Sequence, residues 1–198
     1  GKIQMIGTEG GVGVRNAGSI GASAGSVTIS ADGRIENNAK IYASENINIK
    51  NNQSVINNGE ISSQKGSTTI NTKGELVNND KIISQNQLTV TAKGNITNTG
   101  SMGTIEGKAD INSQANITNS GELSSEKGDL VIHANNNLTN TGKIFADNKA
   151  QITAGNELNN QGTGSIVADH IRLQAITINN VAKDDIAPAI AARAQLDI

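Results

Sequence analysis

The stretch Ile96-Thr-Asn98-Thr-Gly-Ser-Met102 returns 21 residues later as Ile117-Thr-Asn119-Ser-Gly-Glu-Leu123, and again as Leu138-Thr-Asn140-Thr-Gly-Lys-Ile144. Its central asparagine recurs along the whole chain with gaps of 20 or 21 residues. The asparagines of this series are Asn16, Asn37, Asn57, Asn78, Asn98, Asn119, Asn140, Asn160 and Asn180. A fixed period of this size indicates one supersecondary unit stacked many times. Candidate functional residues are then expected on the outside of a rod rather than in a single pocket.

Each repeat carries three short apolar segments separated by polar or glycine-containing corners. Apolar residues alternate with polar ones, as in Val27-Thr-Ile29 and Leu88-Thr-Val90. Alternation with β-branched residues is typical of half-buried strands. The sequence therefore predicts an all-β fold, a right-handed parallel β-helix with three short strands per coil and about 20–21 residues per coil. Each strand would pair with its equivalent one coil on, about 4.8 Å away.

The repeated asparagine has two readings. Asn tolerates the left-handed backbone region and can bond its own turn, so the series could mark exposed turns. Its amide also carries two donors and an acceptor, so stacked side chains could pass hydrogen bonds along the inside of the solenoid. We favour the inward ladder, because exposed turns would admit Gly, Asp and Ser at the same position.

Composition agrees with a narrow solenoid and excludes several classes of protein. Aromatic residues make up only 1% of the chain, there is one proline and there is no cysteine. Disulfides and thiolate metal sites are therefore excluded. The formal net charge is −2 without a basic stripe, which argues against nucleic-acid binding. No apolar run reaches membrane-spanning length.

The repeat also divides the chain. Residues 1–180 are predicted to form the β-helix shaft of about eight to nine coils, 181–189 a loop insertion, and 190–198 the start of a further coil. Both ends fall within the pattern, which predicts that the chain is a piece of a longer filament. Propensity alone would also allow a short Ala-rich helix over residues 186–195.

A column of acidic residues is the strongest candidate for a functional site in the sequence. Glu126, Asp147 and Asp169 occupy equivalent positions in consecutive coils, with Lys127 and Lys149 close in sequence. They could hold a cation or substrate, or they could form a solvated corner, which we consider the better reading because exposed like charges are screened.

The other candidate residues give weaker evidence of a functional site. His133 and His170 have no second histidine at ligand spacing, and we expect no metal site or cofactor. The segment 10–13 lacks the Lys-Ser/Thr and strand–helix context of a phosphate loop. Thr97, Thr118 and Thr139 align in only three coils, too few for an ice-binding face.

The repeat units 119–125 and 158–162, the opening segment 3–20 and the closing segment 189–198 resemble the haemagglutinin repeats of the filamentous haemagglutinin family. The resemblance implies a large secreted, cell-surface exoprotein of Gram-negative bacteria, exported through an outer-membrane transporter by two-partner secretion. Family members include adhesins and the sticks that deliver toxins in contact-dependent growth inhibition, so a receptor on a host or target cell is an implied partner. The Asn-Pro-Asn secretion motifs of the family are absent, which places this stretch beyond the secretion domain.

Two functions follow from the sequence. The first is a structural shaft for adhesion or contact-dependent toxin delivery, without enzymatic activity. The alternative is a carbohydrate-active β-helix enzyme, a polysaccharide lyase or hydrolase, because that fold also hosts such sites. An enzyme would need long loops over a carboxylate cluster. The only interruptions of the period are 181–189 and a two-residue expansion at 162–164, which favours the shaft.

Overall fold

Twenty-six β-strands and no helix follow one another along the chain in the computed structural model, which describes all 198 residues. All inter-strand ladders are parallel, and each joins a strand to its equivalent in the next coil, as in the pairing of Asn98 with Asn119. The prediction of an all-β parallel solenoid is confirmed. No helix in the fold could span a membrane.

The strands form three faces around the solenoid. The first face consists of β2 (Val12–Asn16), β5 (Arg34–Asn37), β8 (Val55–Asn57), β11 (Leu76–Asn78), β14 (Ile96–Asn98), β17 (Ile117–Asn119), β20 (Leu138–Asn140), β23 (Glu157–Gln161) and β25 (Thr177–Val181). We number the coils 1 to 9 by these strands, so that each coil contains one first-face strand and the strands of the other two faces that follow it.

The second and third faces join into one continuous sheet near the end of the chain. The second face consists of β3 (Ser19–Ala22), β6 (Lys40–Ala43), β9 (Glu60–Ser63), β12 (Lys81–Ser84), β15 (Ser101–Thr104), β18 (Glu122–Ser125), β21 (Lys143–Ala146) and the first parts of β24 (Ser165–Gln174) and β26 (Ala189–Asp197). The third face consists of β1 (Ile3–Gly7), β4 (Val27–Ala31), β7 (Ile47–Asn51), β10 (Thr68–Thr72), β13 (Leu88–Ala92), β16 (Ala109–Ser113), β19 (Leu130–Ala134), β22 (Lys149–Ala154) and the later parts of β24 and β26. Because β24 and β26 run around the corner without a break, the two faces form one 17-stranded sheet.

A single apolar core runs along the axis. It contains 38 buried hydrophobic residues, most of them Ile, Leu, Val and Ala, and all belong to one cluster. Burial alternates along each strand, as in β7, where Ile47 and Ile49 are buried and Asn48 and Lys50 are exposed. Nine coils at about 4.8 Å each give a rod about 40 Å long.

The regular pattern ends after β25. Residues 182–188 form a turn closed by the Lys183–Ile186 bridge, with positive φ angles at Asp184 and Asp185. The chain then returns as β26, which pairs with β24 along its length. The alternative of an Ala-rich helix over 186–195 is wrong, because these apolar and small residues extend an existing parallel sheet instead. Gly162, in the two-residue expansion, has a φ of 58°, which suits glycine.

Candidate functional site

The nine repeated asparagines lie at one corner and are joined side chain to side chain. In each of the eight steps, the Nδ2 of one Asn donates to the Oδ1 of the Asn in the next coil, over 2.7–2.8 Å. The first eight side chains are at most 6% exposed. We call this column the asparagine ladder.

Each of the first eight ladder side chains also binds the backbone. The Nδ2 of Asn98 donates to the carbonyl oxygen of Gly100 in its own coil and to that of Glu122 in the next, over 3.0 Å in both cases. These bonds satisfy carbonyl groups where the chain turns between faces. Asn180 differs from the rest, because it accepts from Asn160 over 2.8 Å but is itself exposed on the last coil.

A second internal polar column was not recognised in the sequence. Ser63, Ser84, Thr104 and Ser125 point inward at the next corner, with 2.8 Å between the hydroxyls of Ser63 and Ser84 and 3.2 Å between those of Thr104 and Ser125. They also donate to backbone carbonyls, such as Ser84 to Gln87 over 2.8 Å. Alanine occupies the same position in coils 1, 2 and 7, so the repeated feature is small size rather than one residue type.

The acidic column meets a cation from its own chain. The guanidinium of Arg193, in β26, donates to the carboxylates of Asp169 and Asp147, one and two coils earlier. The same group binds the carbonyl oxygen of Asp147. The hydrogen bond to Asp169, followed by the charges of both aspartates, raises the pKa of Arg193 above its ordinary value. Glu126 is exposed and is not among the groups that Arg193 contacts.

Of the two lysines expected near this column, Lys127 has a partner outside it. Lys127 binds Glu106 in the preceding coil over 2.7 Å, and this hydrogen bond raises its pKa. No group of three or more acidic or histidine side chains is arranged to hold a metal ion. Asp147 and Asp169 of the acidic column are therefore exposed members of ion pairs with Arg193, whereas Glu126 is outside these pairs.

The sequence contained a signal that could have found Arg193. The segment Ala189-Ile-Ala-Ala192 repeats the pattern of Ser165-Ile-Val-Ala168 and pairs with it. The register shifts by one residue after Ala168, so Arg193 bulges out opposite Asp169. The loop insertion before it hid this alignment from the period of the asparagines.

Another ion cluster lies on the first face. Glu36 binds Arg15 of the preceding coil over 2.8 Å and Arg34 of its own strand, and its side chain is only 13% exposed. Partial burial by itself raises the pKa of Glu36, but hydrogen bonds and charge from Arg34 and Arg15 outweigh it, so the pKa lies below its ordinary value.

The remaining candidates are far apart or isolated. His133 is half-buried on the third face beside Asn112 and Thr153, and His170 is exposed at the corner of β24. Gly10 and Gly11 are exposed in a bend before β2. Thr97, Thr118 and Thr139 are adjacent on the first face, between Val77 and Asn159. None of these groups contacts another in a catalytic arrangement.

Comparison with known proteins gives one family. The profile of the haemagglutinin repeat matches residues 3–39, 22–100, 66–142 and 126–198, which together cover nearly the whole chain. A curated relative, Toxin CdiA of Yersinia pestis, is 55% identical over 47 residues. That segment is 24% of this chain and 1% of the relative, so the chain matches a small part of a far longer protein. No solved structure matches significantly.

Proposed function

Because the chain belongs to the haemagglutinin-repeat family, we propose that it is a structural shaft within a large exoprotein, which it holds extended outside a Gram-negative cell. The observation that carries the proposal is the coincidence of the family match over residues 3–198 with an uninterrupted stack of nine coils. A stack of this kind holds a fixed distance, since every coil is locked to the next by three ladders and a shared core.

The relative named as a toxin suggests which kind of exoprotein it is. Its similarity lies in 47 residues of this chain, all of them within the proposed shaft. We propose that the shaft serves contact-dependent toxin delivery, or adhesion to a target surface, after export by an outer-membrane two-partner transporter. The repeats carry no catalytic role in this proposal.

Shortening the shaft in register tests it. Deleting residues 79–119 removes two coils and joins Asn78 to Ser120, which follows a ladder asparagine in the native chain as well. In the full-length exoprotein, we expect this deletion to preserve export and delivery or adhesion, measured on whole cells. Deleting residues 79–108 removes about one and a half coils and should abolish the fold and surface display.

Two results would contradict the shaft proposal. If the in-register deletion is exported and folded but target cells are no longer recognised, the removed coils contain a recognition site and the shaft proposal is wrong. Polysaccharide cleavage by the purified 198-residue chain would contradict it as well.

A further inference from the structure

The second face carries an ordered column of charges. The first outward position of each strand from coil 2 to coil 7 reads Lys40, Glu60, Lys81, Ser101, Glu122 and Lys143. Within the chain, Lys40 lies 3.4 Å from Glu60 and Lys143 lies 3.1 Å from Glu122. These side chains remain partly exposed, between 31% and 50% for the four in ion pairs, so they can meet a second partner.

If the column from coil 3 to coil 7 is reversed about coil 5, each charged position lies opposite a residue of the other sign. A two-fold axis that lies in the plane of the face, along the strand through Ser101, sets coil 4 against coil 6 and coil 3 against coil 7 of a second copy. Lys81 then faces Glu122, and Glu60 faces Lys143, twice each by symmetry. Ser101 faces its own equivalent. An axis half a coil nearer the N-terminal end would set Lys40 against Lys143 and Glu60 against Glu122, and one half a coil nearer the C-terminal end would set Lys81 against Lys143. The axis through coil 5 gives two distinct pairs of opposite charges, more than any other position along the column, and sets Lys40 against the uncharged Ser165.

Residue size on this face follows the same symmetry. The second outward position is Ile83 in coil 4 and Ser124 in coil 6, and it is Ser62 in coil 3 and Phe145 in coil 7. A large side chain of one copy therefore faces a small one of the other. Gly103 lies on the axis between Ile83 and Ser124, which both line a shallow depression of about 280 Å³ on this face.

We propose that the second face is a self-association surface, on which two copies of this chain pair antiparallel about a two-fold axis through coil 5. Charge complementarity sets the register, and the apolar side chains Ile83 and Phe145 supply the buried contact. The pairing goes beyond the proposed shaft role and does not depend on it, because it uses only this face.

The size of the face predicts a weak and salt-sensitive dimer. A surface about 40 Å long and one short strand wide offers roughly 400 Å² per copy, which is below the usual range for stable complexes. Exposed charges contribute less as salt rises. We therefore expect association at high protein concentration and low ionic strength, weakening in high salt.

Cross-linking tests the register directly, since the chain has no cysteine. With a short bis-maleimide reagent, S101C should form a cross-linked dimer, because this position meets its equivalent on the axis. The matched control is S165C in coil 8, whose equivalents would be about 29 Å apart across the same interface. Equal cross-linking of both variants, or of neither, overturns the proposal.

Charge reversal tests the pairing separately. K81E and E122K should each raise the dissociation constant about 10-fold or more in sedimentation at low salt, because each sets like charges against each other across the axis. The double variant K81E/E122K restores opposite charges between copies while adding repulsion within each copy. Recovery of association in the double variant supports the antiparallel dimer, whereas further loss shows that the column acts only within one chain and refutes it. Circular dichroism confirms that each variant is folded.

Discussion

At the scale of single residues, the ladder shows why a polar side chain is stable in this core. Asn98 is fully buried, yet its amide accepts from Asn78 and donates to Asn119, over 2.7 and 2.8 Å. Replacing it by the similarly sized leucine leaves the Oδ1 of Asn119 without its donor and removes one acceptor of the Asn78 amide. The carbonyl oxygens of Gly100 and Glu122 also lose the bonds that Asn98 donates to them. Each such buried group costs about 1–3 kcal/mol. We expect Asn98→Leu to lower the free energy of unfolding by about 3–5 kcal/mol in urea.

Asn95 provides the matched control three residues away. It is exposed, and its Oδ1 accepts from the backbone and side chain of Asn116, both over 3.1 Å. Water can replace these bonds, so Asn95→Leu should cost no more than about 1 kcal/mol. Equal, small losses for the two variants would show that the inner column does not stabilise the fold.

The stability of the fold should depend on pH through Glu36, and the lowered pKa of Glu36 determines the direction of that dependence. The ionised carboxylate is stabilised by Arg15 and Arg34 in the folded state. Its contribution is present above the pKa of the unfolded state, about 4.3, and is lost as the pH falls through the lower folded pKa. We expect Glu36→Gln to destabilise the protein by no more than about 1 kcal/mol at pH 7.

The difference between the wild type and Glu36→Gln should shrink when urea unfolding is repeated below pH 4. Glu9→Gln, which removes an exposed carboxylate outside any ion pair, is the control for loss of charge alone. A Glu36→Gln effect that stays constant or grows on acidification would contradict the ion-cluster explanation.

At the scale of one element, β26 is held by the side chain of Arg193 as well as by its backbone pairing with β24. Arg193 ties this strand to Asp169 and Asp147 in the two preceding coils. Arg193→Ala should therefore speed amide hydrogen exchange in β26 by several fold while leaving β13 in mid-rod unchanged. Arg172→Ala, on the adjacent strand and outside the ion pairs, is the control. Equal exchange in β26 of both variants would mean that backbone pairing alone fixes the strand.

For the whole molecule, position along the rod should decide how far a core mutation lowers the free energy of unfolding. Ile111 in coil 5 and Ile29 in coil 1 are both fully buried at the same point of their coils. Truncation to alanine removes about 2–5 kcal/mol of packing at a fixed core site. Because coils interact mainly with their neighbours, an end coil can unfold locally while the rest stays folded.

We therefore expect Ile111→Ala to lower the global stability, measured by native-state hydrogen exchange, at least about 1 kcal/mol more than Ile29→Ala. The two variants have the same chemistry and differ only in position, so each is the control for the other. Equal losses would show that the rod unfolds as one cooperative unit instead.

The repeat made most of this fold predictable, and an interruption of the repeat accounts for part of what was missed. The positions of Asn98 and Ile111 could be read from spacing alone, because a strand must pair with its equivalent one coil on. Arg193 could not, since an insertion shifts it out of the period and its partners are 24 and 46 residues away. The hydroxyls of Ser84 and Thr104 were overlooked because alanine fills the same space elsewhere in their column.

The asparagine ladder also gives the rod a direction. In all eight steps the amide nitrogen points toward the later coil and the oxygen toward the earlier one. The side-chain dipoles therefore add rather than cancel, with the positive end toward the C-terminal coils, as peptide dipoles add in a helix. At this corner a finished coil presents the Nδ2 donor of its asparagine, and the arriving coil meets it with the Oδ1 of its own. The column thus acts as a template with polarity, matched to a chain that is laid down from its amino-terminal end.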